Sequence, residues 1–337
     1  MKLYNLVRNE VYKMIGKKRL YITLGILVII ITAFAYGQYH SLDRTKENLS
    51  KRIGVEATSD WRNVLQQQLI DIKRRMDSPY LDDERRATMR VRAEQMQFYL
   101  DKDINPLGIS AIVFSTKFIE QSIPMLLLPL LMIILSADIV SGELSGGTVK
   151  LLLVRGVSRW KVLLSKYITI LLLEAVVLFF ALVLSIGISG LFFGYGGWAT
   201  PVITGFKVVA GKLVTSDVVN VPQWQYLMMV YGLAYIVSVV VGSVSFMIST
   251  LVRSTAASIG VVLATLMGGA LLSTFLEDWK LPRYFFTANL RLTDYISGSL
   301  HPIEGMNMTF SLTVLIAWIV LSIAVSFGYF TRRDILV

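Results

Sequence analysis

SADIVSGELSGGTVKLLLVRGVSRWKVLLSK, residues 136–166, is a polar, glycine-broken and basic interruption between two long apolar segments. It follows the run MLLLPLLMIIL at 125–135 and leads into a second apolar stretch that starts at Tyr167. Gly142, Gly146 and Gly147 weaken any helix that passes through them, so a break is expected there. Residues 148–154 then read as one or two helical turns stopped by Gly156. Ser158 is placed to cap a second helix beginning Arg159-Trp160-Lys161. With Leu151, Leu152, Leu153 and Trp160 set among cations, the stretch reads as a compact helix-turn-helix outside the hydrocarbon, suited to docking.

Composition puts this element in a membrane protein. Hydrophobic residues make up 54% of the 337 and charged residues 17%, against about 25% charged in soluble domains; mean hydropathy is +0.60. The absence of cysteine excludes disulfides, thiolate metal sites and cysteine nucleophiles.

Outward from the polar stretch, six apolar segments are long enough to span, at 20–38, 123–140, 167–193, 226–251, 256–276 and 309–330. Before the first, residues 2–19 hold six Lys or Arg against one acid, and Leu3, Leu6, Val7, Val11 and Met14 share one helical face. That pattern predicts an amphipathic helix lying in the cytoplasmic interface. A cleaved leader is the competing reading, because Ala33-Phe34-Ala35 resembles a cleavage site, but a leader needs no patterned face.

The expected fold is therefore an all-α integral membrane protein with an N-terminal interfacial amphipathic helix, six transmembrane helices and an extracytoplasmic helical hairpin between spans one and two. Its parts are the interfacial helix and first span (1–38), the hairpin (39–106) and a five-span membrane domain (107–337) carrying the polar loop (141–166). In the hairpin, Trp61, Leu65, Leu69, Ile72 and Met76 fall at helical steps, as do Val91 or Arg92, Met96 and Leu100. Pro79 followed by Asp82, Asp83 and Glu84 marks the second helix start. Residues 107–121 are amphipathic and expected along the outer surface. Residues 192–225 read as a Gly-rich outer loop, and 277–308 as an aromatic-rich segment at headgroup depth.

Six spans put both termini on one side. The pieces on that side carry fourteen Lys or Arg and the short pieces opposite carry six, which makes the termini cytoplasmic. The net charge of +10 thus belongs to orientation and to contact with membrane lipid, and no basic domain for nucleic acid is present.

Catalytic signatures are missing. The nearest approach to a P-loop, Gly205 to Lys212, has a five-residue spacer and Leu213 in place of Ser or Thr. His40 and His301 lack a ligand cluster, and there is no G-x-S-x-G elbow. No cofactor, metal or enzymatic activity is expected in this chain. Glu174, about two turns inside the third span, stands apart as an intramembrane acid: it either serves function, or is structural, paired with Lys166 or Lys161 or protonated in a helix contact.

The order Glu143, Gly147-Thr148, a leucine run with Leu152, then Arg155, Ser158, Arg159 and Lys166 resembles permease subunits of the type-two (export class) ABC transporters, the bacterial ABC exporter membrane-domain family. Gly156 stands where that family has proline. The C-terminal FTRRDILV is similar to the family's usual ending, and the resemblance covers the chain except 41–103. It implies that the loop is an ATPase-coupling element, carried here by Glu143, Gly147, Thr148, Leu152, Leu153, Arg155 and Arg159. It further implies two partners, an ATP-binding cassette ATPase subunit and a second permease subunit, in a homodimer or heterodimer. The expected function is ATP-driven export from the bacterial cytoplasmic membrane of a substrate that no residue identifies, with an amphiphilic peptide, antibiotic or lipid-like compound as the family-level expectation and cation export as an open alternative. The alternative is a non-transporting scaffold or sensor whose outer hairpin recognises a ligand.

Overall fold

The computed structural model describes residues 2–54, 60–147, 157–209, 212–216, 218–275, 281–299 and 306–332. The chain is a predominantly helical membrane protein, and five of its helical segments are long and apolar enough to cross a bilayer: Arg19–Lys51, Leu127–Ser145, Arg159–Phe193, Gln223–Leu251 and Met308–Arg332.

Helix α1 (Leu3–Gly16) turns inward Leu6, Met14 and, on the same stripe, Glu10. Lys18, at φ 58°, turns the chain into α2 (Arg19–Ile53). At 35 residues α2 is about 52 Å long, well beyond a hydrocarbon core of about 30 Å. The first span and the charged segment after it are thus one helix. No break in the backbone marks the boundary expected near residue 39.

The outer hairpin consists of α3 (Trp61–Met76) and α4 (Asp83–Asp101). They close on Leu65, Leu69, Ala93 and Met96, with Trp61, Ile72, Met76 and Leu100 around them. The first-helix stripe read from the sequence is the one that packs, whereas on the second helix Ala93 takes the place expected for Val91 beside Met96 and Leu100. Pro79 lies in the turn, and Asp82 instead holds the N-cap position of α4.

Helix α5 (Ala111–Ser122) does not lie along an outer surface. Ile112, Phe114, Phe118 and Ile119 are buried, and so are Ser115 and Thr116 on its polar side. The polar stripe is satisfied by protein instead of water: Ser115 meets Ser185 at 2.6 Å and Tyr231 at 2.9 Å, and Gln223 Nε2 donates to Thr116 at 3.0 Å. After a turn at 123–126, in which Leu126 takes φ 58°, the chain continues as α6 (Leu127–Ser136) and the short α7 (Ser141–Ser145).

Helix α8 (Arg159–Phe193) merges the expected second loop helix with the third span into one rod of 35 residues. The outer segment after it is not plain loop. It holds two antiparallel pairs, β1 (Pro201–Thr204) with β4 (Val219–Pro222), and β2 (Lys207–Val209) with β3 (Lys212–Val214). Valine, isoleucine and threonine supply the strand propensity, which the intervening glycines obscured in the sequence.

Helix α9 (Gln223–Leu251) is the hub, packed by α5, α6, α8, α10 (Thr255–Phe275) and the C-terminal helix. Its buried Ser238, Gly242, Ser243, Ser245 and Ser249 permit that close approach. The aromatic segment is folded over residues 281–299. It folds into two 3-10 turns and α11 (Thr293–Ser297), and buries Phe286, Asn289, Leu290 and Leu292. Helix α12 (Met308–Arg332) closes the bundle.

Candidate functional site

Four charged side chains converge where the two ends of the polar loop meet α1. Lys166 Nζ on α8 lies 2.7 Å from Glu10 Oε2 of α1 and 2.8 Å from Glu143 Oε1 of α7. Lys13 Nζ lies 2.8 Å from Glu10 Oε1 and 2.9 Å from Glu143 Oε1. Two acids and two lysines alternate, so the group is neutral as a whole. Lys166 is only 1% exposed, and Glu10 and Glu143 are buried too. Burying charges this way costs desolvation that only complete mutual pairing offsets.

A second pairing sits alongside. Asp138, buried in the turn between α6 and α7, pairs with Arg19 at the start of α2 and lies 3.7 Å from Lys17. The same turn is pinned from the hub. Ser249 Oγ accepts from the backbone N–H groups of Val140 (3.1 Å) and Ser141 (3.0 Å), satisfying donors at the start of α7. Ser258 of α10 donates to the Ala137 carbonyl at 2.6 Å. The segment entering the loop is therefore fastened to α1, α2, α8, α9 and α10 together.

Lys13, outside the spans, records the electrostatics. Burial opposes its charge, yet hydrogen bonds and attraction from Glu10 and Glu143 outweigh that and raise its pKa above the ordinary lysine value.

Of the residues expected to make the coupling element, Glu143 is here a buried ion-pair partner and not an exposed docking residue. Gly147 ends α7 with φ 67°, in the left-handed region glycine accepts readily. Arg159 begins α8 and donates to the Thr331 carbonyl at 3.4 Å, joining the loop exit to the end of α12. Ser158 holds the N-cap position, but its side chain makes no capping bond. Thr148, Leu152, Leu153, Arg155 and Gly156 lie outside the described residues, as do His301 and the last five residues of FTRRDILV.

Glu10 was missed, although its signal is visible. At 3, 6, 7, 10 and 14 it falls on the apolar face of α1 as that helix's one acid. An acid on a face that must be buried calls for a cation from elsewhere.

Glu174 lies deep between α8 and α9, fully buried, with neither carboxyl oxygen hydrogen-bonded among the described residues. The structural pairing with Lys166 is excluded, because Lys166 points to Glu10 and Glu143. A β-carbon at Gly242 would overlap the carboxyl, so glycine there makes room for it. Two turns toward the inner cluster along α8, Tyr167 bonds Ser243 of α9 at 2.9 Å, joining the same two helices. Among the described residues no three His, Asp or Glu side chains converge as metal ligands.

At the opposite end the hairpin is docked. Glu94 accepts from the Leu213 N–H at 2.9 Å, Gln95 donates to the Gly298 carbonyl at 2.8 Å, and Phe98 meets Phe206 edge to face at 5.5 Å. Beneath it Tyr226 donates to Glu120 at 2.6 Å.

Residues 86–336 match the family described as protein of unknown function DUF2705, and the chain belongs to that family. It is 28% identical over 339 residues to the uncharacterized protein YhcI of Bacillus subtilis (strain 168), covering 99% of both chains. It is 30% identical over 214 residues to the uncharacterized membrane protein YdbK of the same organism, covering 62% of this chain and 78% of that one. These names state membrane character for one relative and no activity for either.

Proposed function

We propose that this DUF2705 member is the membrane subunit of an ATP-driven exporter, working with a separate ATP-binding cassette ATPase and a second permease subunit of the same or a related kind. In this reading the chain spans the bacterial cell membrane six times, with both termini cytoplasmic. The span added to the five long apolar helices is α10, fifth in chain order, whose 21 residues reach about 31 Å.

The observation that carries the reading is the charge cluster at the loop. An element that couples hydrolysis to a membrane motion must be rigidly joined to the helices it moves. Glu143, five residues before Thr148, is locked to Lys166 on the third span and to α1. Beyond the loop, α8 runs unbroken from Arg159 through the bilayer. A push on residues 148–158 would thus reach the spans through both ends of the loop. Leu152 and Leu153 would be its apolar anchors, with Arg155 and Arg159 fixing orientation. The substrate would be an amphiphilic peptide, antibiotic or lipid-like compound.

The test is affinity purification of the tagged chain from its native membrane in mild detergent. Recovery of a polypeptide with P-loop ATPase sequence supports the reading, and its absence favours the scaffold or sensor alternative.

A further inference from the structure

A cavity of about 270 Å³ opens beside α2 at the hairpin end of the bundle. One wall is a single face of α2, Tyr39, Leu42, Asp43 and Lys46; the other is Phe192 and Phe193 at the end of α8, with Leu107 and Ile109 ahead of α5. Tyr39 packs on both phenylalanines, at 5.9 and 6.4 Å between ring centroids.

Depth gives this cavity its meaning. From Arg19, anchored at the inner cluster, to Tyr39 is 20 residues of helix, about 30 Å and one hydrocarbon thickness. Asp43 and Lys46 stand one and two turns further out, at headgroup depth. Both are exposed, and neither side chain has an ion pair or hydrogen bond among the described residues. The cavity is therefore apolar and aromatic below, with two unpaired opposite charges one turn apart above.

We infer that this cavity binds the phosphoethanolamine headgroup of a phospholipid, phosphate on Lys46 and ammonium on Asp43, with the first methylenes of the chains against Phe192 and Phe193. An anionic headgroup without an amine would satisfy Lys46 but leave Asp43 facing like charge. A quaternary ammonium would neutralise Asp43 without giving it a hydrogen bond. A primary ammonium joined to a phosphate satisfies both. Which side of the membrane this is rests on the reading above, whereas the site does not.

The test uses the full-length chain in detergent, with native mass spectrometry counting bound lipid from equal mole fractions of phosphatidylethanolamine, phosphatidylglycerol and phosphatidylcholine of matched acyl chains. Soluble phosphoethanolamine is a separate arm. The expected result is one retained phosphatidylethanolamine, favoured about tenfold over each of the other lipids, with that preference lost in both Lys46→Glu and Asp43→Lys. Equal retention of phosphatidylglycerol, or an unchanged preference in either variant, overturns the assignment. Binding of soluble phosphoethanolamine as tight as that of the lipid would mean a water-phase ligand and would overturn it too. No ATPase takes part, so the result stands or falls separately from the exporter reading.

Discussion

Lys166 Nζ and Glu143 Oε1, on either side of the polar loop and 23 positions apart in sequence, sit 2.8 Å from each other in the buried core of the inner cluster. The ends of the loop are thereby held together independently of the loop itself. Removing Lys166 leaves two buried acids, Glu10 and Glu143, sharing the half-exposed Lys13 as their one cation in the cluster, and breaking a buried pair in this way costs about 3–5 kcal/mol. Lys166→Met should therefore lower the melting temperature in detergent sharply. Adding Glu143→Gln and Glu10→Gln to Lys166→Met should recover much of the loss, because no acid is then left buried without its cation. Equal and additive losses would mean that the residues do not act as a unit.

The same cluster carries a pH dependence through Lys13. Its pKa in the folded chain lies above the model-compound value of 10.5, so folding favours the protonated form. That contribution is whole below pH 10.5 and is lost as pH rises through the folded value. The stability difference between the parent and Lys13→Met should be constant at neutral pH and shrink above 10.5. A difference that stays flat through that window would contradict the pairing.

Glu174 and Gly242 make a tighter claim. Gly242→Ala places a methyl group where the Glu174 carboxyl sits, and overpacking of this kind costs about 1–3 kcal/mol. Glu174→Ala should rescue Gly242→Ala, as read by yield and melting temperature. Glu174→Gln keeps the shape and removes the acid. If it folds normally but abolishes transport, the acid is functional; if assembly and transport both persist, its role is packing alone.

Docking of the outer hairpin can be loosened without unfolding it. Gln95→Ala and Phe98→Ala remove a hydrogen bond and an aromatic pair, together worth about 2 kcal/mol. Amide exchange in α4 should accelerate roughly tenfold to thirtyfold, with helical content unchanged. Unchanged exchange would mean that other contacts hold the hairpin. Gly298, at φ 72° and with no room for a β-carbon beside Phe206, should tolerate no side chain.

What the sequence made legible was whatever had a local period. The spans announced themselves by apolar length, α1 and the hairpin by their stripes, and the start of α8 by Ser158 before Arg159. The continuity of α2 was hidden because hydropathy ends at residue 39 while helix propensity does not. Helix α5 looked like a surface helix, since Ser115 and Thr116 read as water-facing when they face Ser185, Tyr231 and Gln223. At the candidate site, Glu143 and Lys166 stood out as polar residues between spans. Their tie to Glu10 depends on the packing of α1 against α8, 156 positions away from Lys166, and no local pattern carries that.

The most direct test of the account is copurification of a cassette ATPase with the tagged chain, compared between the parent and Leu153→Asp. The account predicts stoichiometric recovery of the ATPase with the parent and its loss with Leu153→Asp, because an unpaired charge would be buried at the contact; insertion and yield of the chain itself should not change. No ATPase with the parent, or equal recovery with the variant, would contradict it.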